Sequence, residues 1–223
     1  MEIADILSAA THISDPVLLE KLSGLARIRR LKKGDISMKA GEMQTKIHLL
    51  VDGVMRCYYL DGSGRETTDC IIIEPGYPVM TASLSIPSLI TARAVTATRL
   101  LELPLKETMA LMQEYPELLW AYNEILQKVL FFHWQIKASR FSYSALERYI
   151  WFTRNWPGVE EVANSRHIAS FLGMTPETLS RMRRMARNGG QVYELLNDPN
   201  SVWDASGIRE VLDRHGRQDG QVR

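Results

Sequence analysis

A stretch in the last third of the chain carries the pattern that most constrains the fold. Asn164 or Ser165 can cap a first helix, and Thr175 can cap a second helix that begins at Pro176, a favoured position for proline. Between the two helices, Gly173 can adopt the left-handed conformation that a tight turn needs. Apolar or small residues fall where the two helices would face each other, namely at Ile168, Ala169, Leu172, Leu179 and Met182. The sequence therefore predicts a helix-turn-helix.

The outward face of the second helix is basic. Leu179 and Met182 face inward, which leaves Glu177, Ser180 and Arg181 on the opposite side. Residues 164–190 contain five arginines and one acidic residue, although the whole chain has a formal net charge of only +1. An arginine can donate two hydrogen bonds to a guanine edge, and a glutamate can accept one from cytosine. We therefore expect this helix to read DNA, the alternative being an ordinary helix pair with a solvated basic face.

Composition leaves room for more than this one domain. The chain has 223 residues, a length that favours two domains. Of these residues 45% are hydrophobic and 24% are charged, which is usual for folded proteins. The sequence has no apolar run of about 20 residues that could cross a bilayer. The amino terminus lacks a basic stretch followed by an apolar core, so it is unlike a signal peptide. We expect a cytoplasmic protein with no membrane partner.

The region from residue 28 to residue 104 reads as short strands interrupted by glycines. Residues 46–51 form one predicted strand and residues 54–60 the returning strand, with Asp52 and Gly53 as the turn between them. This pattern predicts a β-barrel or sandwich. It is followed by a short predicted helix over residues 106–114.

A long helix is predicted after the break at Tyr115 and Pro116. Its apolar residues recur in alternating steps of four and three, as in the seam of a coiled coil. This predicted dimer interface consists of Leu118, Tyr122, Ile125, Val129, Phe132 and Ile136. The alternative is that the same stripe packs on its own barrel. Leu119, Leu126 and Leu130 widen the apolar face enough to allow both arrangements.

A third segment begins near residue 142. Ser144, followed three residues later by Glu147, forms a capping box at the start of another helix. The predicted organisation is a barrel sensor domain with flanking helices over residues 1–114, a dimerisation helix and hinge over 115–141, and a winged helix-turn-helix domain over 142–223.

These motifs together resemble the cyclic AMP receptor and fumarate-nitrate reduction regulator (Crp/Fnr) family of bacterial transcription regulators. The resemblance runs through Lys-Gly-Asp at 33–35, the His-Leu-Leu-Val-Asp-Gly run at 48–53, Ala-Leu-Glu-Arg at 145–148 and Pro-Glu-Thr-Leu-Ser-Arg at 176–181. It implies an α+β fold with an N-terminal cyclic-nucleotide-binding-like jelly-roll barrel, a long dimerisation helix and a C-terminal winged helix-turn-helix. It also implies a homodimer that binds palindromic double-stranded DNA and contacts RNA polymerase.

The resemblance also assigns roles in DNA binding. It implies base contacts by Glu177, Ser180 and Arg181, in a half-site closer to TTGA than to TGTGA because Pro176 replaces an arginine of the cyclic AMP branch. The expected phosphate contacts are Thr175, Thr178, Arg183, Arg184 and Arg187. Residues 191–203 suggest a wing longer than is usual in the family.

The sensor residues of the family are not matched. Ser88 and Leu89 stand where the cyclic AMP branch has Arg-Ser, and residues 77–83 lack the carboxylate that would hold the ribose, so we expect no cyclic nucleotide. Cys57 and Cys70 lie apart without CxxC spacing, which predicts buried reduced thiols and neither a metal site nor an iron–sulfur cluster. A haem would depend on His48 or Cys57 and is not expected. No cofactor is predicted, and the small-molecule effector is left open.

Two other functions are compatible with parts of this pattern. One is a constitutive DNA-binding regulator with a vestigial sensor, which the missing cyclic AMP residues allow. The other is a cupin-like β-barrel enzyme with a metal held by clustered histidines. The barrel contains His48 alone and has no His-x-His spacing, and no Ser-His-Asp or paired-carboxylate set stands out. We therefore expect a regulator and not an enzyme.

Overall fold

The computed structural model describes residues 2–81 and 83–187. Two helices come first, followed by seven strands and then helices to the end of the described part. The helices are α1 (Ile3–Thr11), α2 (Pro16–Leu25), α3 (Leu105–Glu114), α4 (Pro116–Ser142), α5 (Ala145–Asn155), α6 (Val159–Val162), α7 (Ser165–Phe171) and α8 (Pro176–Arg187). The strands are β1 (Arg27–Leu31), β2 (Ile36–Met38), β3 (Lys46–Asp52), β4 (Met55–Leu60), β5 (Glu66–Ile72), β6 (Thr91–Ala94) and β7 (Thr98–Pro104).

The strands form two antiparallel sheets that face each other. One sheet has the order β1-β7-β3, and the other has the order β2-β6-β4-β5. Leu50, Met55, Ile71 and Leu100 are buried in the core of this barrel. The turn between β3 and β4 requires Gly53, because its φ is +95° and an added Cβ would lie 2.6 Å from the Ala97 carbonyl oxygen. The predicted barrel is confirmed.

The helices after the barrel begin and end close to the predicted residues. Helix α3 ends at Glu114, and α4 begins at Pro116, where the missing N–H of proline costs no helical hydrogen bond. The first two turns of α4 pack on α1, α2 and the outer side of the β3–β7 pair through Leu118 and Ala121. No helix in the described ranges is both long and apolar enough to cross a membrane.

The last helices pack as one unit that also contacts the barrel. The capping box at Ser144 and Glu147 is present, since each residue receives a hydrogen bond from the backbone of the other. Trp156 and Phe171 share one apolar cluster with the barrel residue Ile71. The boundaries at 114, 141 and 142 stay predictions, and the expected wing at 191–203 lies outside the described residues.

Candidate nucleic-acid interface

Helices α7 and α8 form the predicted helix-turn-helix, with the predicted caps. The side chain of Asn164 accepts a hydrogen bond from the Arg166 N–H at 2.9 Å, and Thr175 Oγ1 accepts one from the Thr178 N–H at 3.2 Å. Gly173 has φ +64° in the turn between the helices. The predicted inward residues Ile168, Ala169, Leu172, Leu179 and Met182 are all buried. Local capping and one buried stripe therefore fix the relative position of the two helices.

The outer face of α8 is exposed. Glu177, Ser180 and Arg181 are exposed on it, and Arg184 and Arg187 are exposed further along the helix. A hydrogen bond from its own backbone N–H, together with one from Thr175, holds the pKa of Glu177 below the ordinary value. Glu177 is therefore an anionic hydrogen-bond acceptor at neutral pH. This face offers one acceptor and several cationic donors to a ligand.

Arg183, one of the expected phosphate contacts, is held by two other groups of the domain. Its Nε donates to Glu160 Oε1 and one of its terminal nitrogens donates to Ser165 Oγ, both at 2.8 Å. Tyr149 fixes the other oxygen of Glu160, with its hydroxyl 3.0 Å from Oε2. Position 183 follows Leu179 by one helical turn, so its side chain lies at the edge of the buried stripe and not on the outer face. In the proposed function Arg183 therefore positions α8 and is not counted among the phosphate contacts.

The helix-turn-helix is docked on strand β5. The backbone N–H of Thr68 donates to Ser170 Oγ of α7 at 2.9 Å. Trp156, at the end of α5, donates its indole N–H to the Ile71 carbonyl at 2.7 Å in a buried position. Arg140 of α4 donates to the carbonyls of Thr68 (3.1 Å) and Phe171 (2.9 Å), and so joins three parts of the chain. These hydrogen bonds join β5 to α4 and α7.

A charged cluster lies beside this docking contact. Glu66 at the start of β5 forms ion pairs with the buried Arg56 and with Arg93, the latter at 3.2 Å. His167 of α7 lies 3.8 Å from the same carboxylate. Burial and the neighbouring Arg56 lower the pKa of His167 below its ordinary value. The sequence analysis missed this cluster, because its members come from β4, β5, β6 and α7.

Comparison with known proteins agrees with this architecture. Residues 28–115 match the family model of the cyclic nucleotide-binding domain, and no curated protein matches the chain. FixK2 from Bradyrhizobium japonicum superposes with a TM-score of 0.63 at 16% identity, over 73% of this chain and 85% of FixK2. A putative Crp/Fnr-family regulator from Eubacterium rectale gives 0.62 at 19% identity, over 78% and 84%. The c-di-GMP responsive regulator CLP from Xanthomonas campestris gives 0.61 at 14% identity, over 78% and 92%.

The chain has the Crp/Fnr fold. Residues 28–115 are its cyclic nucleotide-binding domain, which confirms the predicted resemblance and fold class. The match to that domain family does not by itself show that the chain binds a nucleotide. In this domain Ser88 is buried, and its hydroxyl donates to the Ile90 carbonyl at 2.8 Å, while Leu89 is 57% exposed. These two positions present no cation to a cyclic phosphate.

The predicted dimer seam lies largely against the chain's own cyclic nucleotide-binding domain. Leu118 and Ile136 are only 5% and 4% exposed within one protomer. Tyr122 and Ile125 line a small apolar pocket between α4 and the barrel, and Phe132 packs edge-on against Tyr77. Val129 is half-buried. The open face of α4 carries other apolar residues, namely Leu119, Trp120, Leu126, Leu130, Trp134 and Phe141.

The two cysteines are buried free thiols, as predicted, but they are not distant in space. Cys57 of β4 and Cys70 of β5 are paired directly across the sheet. Ligand atoms of Asp69, Cys70 and His133 lie within 4.8 Å of one another, although the sequence predicted no metal site. His48, the other residue considered for a haem, is buried with its Nε2 3.3 Å from Glu102, and burial lowers its pKa to about 4. His48 is thus a neutral residue of the barrel wall.

Proposed function

We propose that the chain is a dimeric, DNA-binding transcription regulator of the Crp/Fnr type. The observation that carries this proposal is the outer face of α8, where Glu177, Ser180 and Arg181 are exposed together on a capped helix. In this proposal these residues contact base edges in the major groove. Thr175, Thr178, Arg184 and Arg187 contact phosphates. The regulator acts on palindromic DNA and contacts RNA polymerase, and it has no catalytic role.

The geometry of α7 and α8 supports this use of the face. Glu177 and Arg181 are one helical turn apart, so they can reach neighbouring base pairs from the same side of the helix. Thr175 caps α8, and its neighbourhood offers backbone N–H groups at the positive end of the helix, a favourable place for a phosphate. Arg183 and Glu160 hold α8 against the rest of the domain, and this fixes the direction of the reading residues.

A dimer is part of the proposal because a palindrome needs two recognition helices related by a two-fold axis. We place the interface on the open face of α4, defined by Leu119, Leu126, Leu130 and Trp134, which are between 36% and 60% exposed. Asn123 is exposed between Leu119 and Leu126, so residues 119, 123, 126 and 130 follow alternating steps of four and three along the helix, and Trp134 lies one turn further on. Pairing would remove this apolar surface from water, whereas most of the originally predicted seam packs on the barrel.

The docking of α7 on β5 favours a sensor that is coupled to DNA binding over a vestigial one. Thr68 and Glu66 of β5 lie against α7, and Ile71 accepts a hydrogen bond from Trp156 at the end of α5. A ligand that moves β5 relative to α4 would therefore change the position of α8 in the dimer. In this proposal the effector is not a cyclic nucleotide.

A binding selection from a randomised palindrome at two salt concentrations tests the proposal. Arg181→Ala should weaken binding to the preferred sequence by about 1–3 kcal/mol and relax the preference at one base pair. Glu177→Ala should broaden the base preference at an adjacent position of the DNA site. It should also raise the affinity for non-specific DNA, because it removes the acidic residue from a basic face. Arg184→Ala is the matched control, since it removes the same charge and should weaken all sequences alike. An unchanged sequence preference in Arg181→Ala would reject α8 as the reading element.

A further inference from the structure

Strand β5 contains a bulge where it faces the long helix. The pairing of β4 with β5 runs through Cys57 and Cys70, and it continues with Tyr58 and Thr68. Asp69 is therefore an extra residue on β5 that has no partner on β4. Consecutive residues of a regular strand point to opposite faces of the sheet, whereas a bulge breaks this alternation. The bulge allows the side chains of Asp69 and Cys70 to lie on the same side of the sheet.

His133 of α4 completes a cluster with these two residues. A carboxylate oxygen of Asp69, the sulfur of Cys70 and a ring nitrogen of His133 all lie within 4.8 Å of one another. Cys70 is buried, and Asp69 and His133 are half-buried, so the cluster lies at the edge of the core and is open on one side. Each donor comes from a different chemical class, and two structural elements supply them.

We propose that Asp69, Cys70 and His133 bind a divalent transition metal ion of the Zn²⁺ type. Zn²⁺ takes thiolate, imidazole and carboxylate donors in one tetrahedral site, and three protein ligands leave a fourth position for water. Bonds of about 2.0–2.3 Å place tetrahedral ligand atoms roughly 3.5 Å apart, so the three donors need to close by about 1 Å around the ion. Cys70 releases its thiol proton to solvent as the sulfur–metal bond forms.

The site is placed where a bound ion would affect the DNA-binding unit. Thr68, next to Asp69, donates its N–H to Ser170 of α7 and accepts a hydrogen bond from Arg140 of α4. An ion held by Asp69 and His133 would tie β5 to α4 beside these contacts. We infer that the metal is the effector of the regulator, and this second step rests on the proposed function. The coupling between two such sites is typically about 5- to 150-fold in affinity.

Titration of the reduced, metal-free full chain with Co²⁺ tests the site without DNA. Wild type should bind one Co²⁺ per chain, with the thiolate-to-cobalt charge-transfer band and the intense visible bands of a tetrahedral site, and Zn²⁺ should displace it. Cys70→Ser should abolish the charge-transfer band. His133→Asn, at a half-buried position, should weaken binding at least about tenfold.

Two matched variants should retain the band. Cys57→Ser removes the buried thiol opposite Cys70, and His12→Asn removes an exposed imidazole from a left-handed position that asparagine tolerates. Absence of a charge-transfer band in folded wild type would overturn the site. Its loss in Cys57→Ser but not in Cys70→Ser would also overturn it.

Operator affinity with and without Zn²⁺ tests the effector role separately. At a free Zn²⁺ concentration that fills the wild-type site but leaves His133→Asn mostly unloaded, we expect a change of at least about fivefold in wild type and a much smaller one in His133→Asn. Equal affinity with and without Zn²⁺ in a wild-type protein that binds Co²⁺ would overturn the effector role. That result would leave the DNA-binding proposal intact, because sequence-specific binding is measured in both arms.

Discussion

Replacement of Arg183 by alanine separates a structural arginine from a DNA-contacting one. In the structure Arg183 donates to Glu160 and Ser165 at 2.8 Å, whereas Arg184, the next residue, is exposed. Both residues are arginines of the same helix, so their alanine variants remove the same charge and the same atoms. We expect Arg183→Ala to destabilise the fold and Arg184→Ala to weaken DNA binding.

The contacts of Arg183 set the size of the effect. A hydrogen bond to a charged group contributes about 1.5–3 kcal/mol when it is buried, and an exposed ion pair contributes about 0.2–1 kcal/mol. The side chains of Arg183 and Glu160 are 22% and 30% exposed, which lies between these limits. We therefore expect the free energy of unfolding to fall by about 1–2 kcal/mol in Arg183→Ala. Arg184→Ala should leave it unchanged within about 0.5 kcal/mol, as is usual for a surface substitution.

Two measurements check this pair. Urea denaturation gives the free energy of unfolding, and DNA affinity over a range of salt concentrations gives the number of phosphate contacts. Each phosphate contact contributes about 0.9 to the slope of log affinity against log salt. The slope should fall by about one in Arg184→Ala and stay at the wild-type value in Arg183→Ala. A lower slope with unchanged stability in Arg183→Ala would show that its contact with Glu160 is not the one used in solution.

Three further predictions concern other parts of the fold. Trp156→Phe removes the indole donor to the buried Ile71 carbonyl, and it should lower the urea midpoint by an amount equivalent to about 1–3 kcal/mol; an unchanged midpoint would contradict the docking on β5. His48 has a pKa of about 4 in the folded state against 6.5 when unfolded, so protonation favours the unfolded state. The folded state is unaffected by this group above pH 6.5 and loses stability as the pH falls below that value. Between about pH 7 and about pH 5 the wild type should therefore lose about 2 kcal/mol more unfolding free energy than His48→Gln, and equal losses would refute this origin. Leu130→Lys should shift sedimentation from dimer to monomer, whereas Met109→Lys, at an equally exposed apolar position of α3, should not.

The helix-turn-helix and the barrel strands could be predicted from the sequence because their signals are local. A cap acts over three residues, as in Thr175 and Thr178, and a turn depends on one residue with positive φ, such as Gly173. Strand β3 was predicted to within one residue, since Gly53 ends it in a turn that excludes any side chain. Each of these features is decided by neighbours in the sequence, whatever the rest of the chain does.

The contacts between residues that are distant in the sequence could be identified only from the tertiary structure. The apolar residues of α4 cover more than one face, and only packing on the barrel shows that Leu118 and Ile136 are covered while Leu126 and Leu130 are open. The role of Arg183 depended on Glu160 of another helix, which helical periodicity cannot reveal.

The metal-binding cluster shows the same division most clearly. The sequence predicted that Cys70 is a buried, reduced thiol, because Cys57 and Cys70 lie apart without CxxC spacing, and this is confirmed. Its proximity to Asp69 and His133 required a bulge in β5 and the docking of α4 against that strand. A bulge shifts the side-chain alternation by one residue, and no local pattern in this sequence marks where it occurs. The secondary-structure elements could therefore be predicted from the sequence. The contacts between residues of different elements depend on strand register and packing, which only the tertiary structure determines.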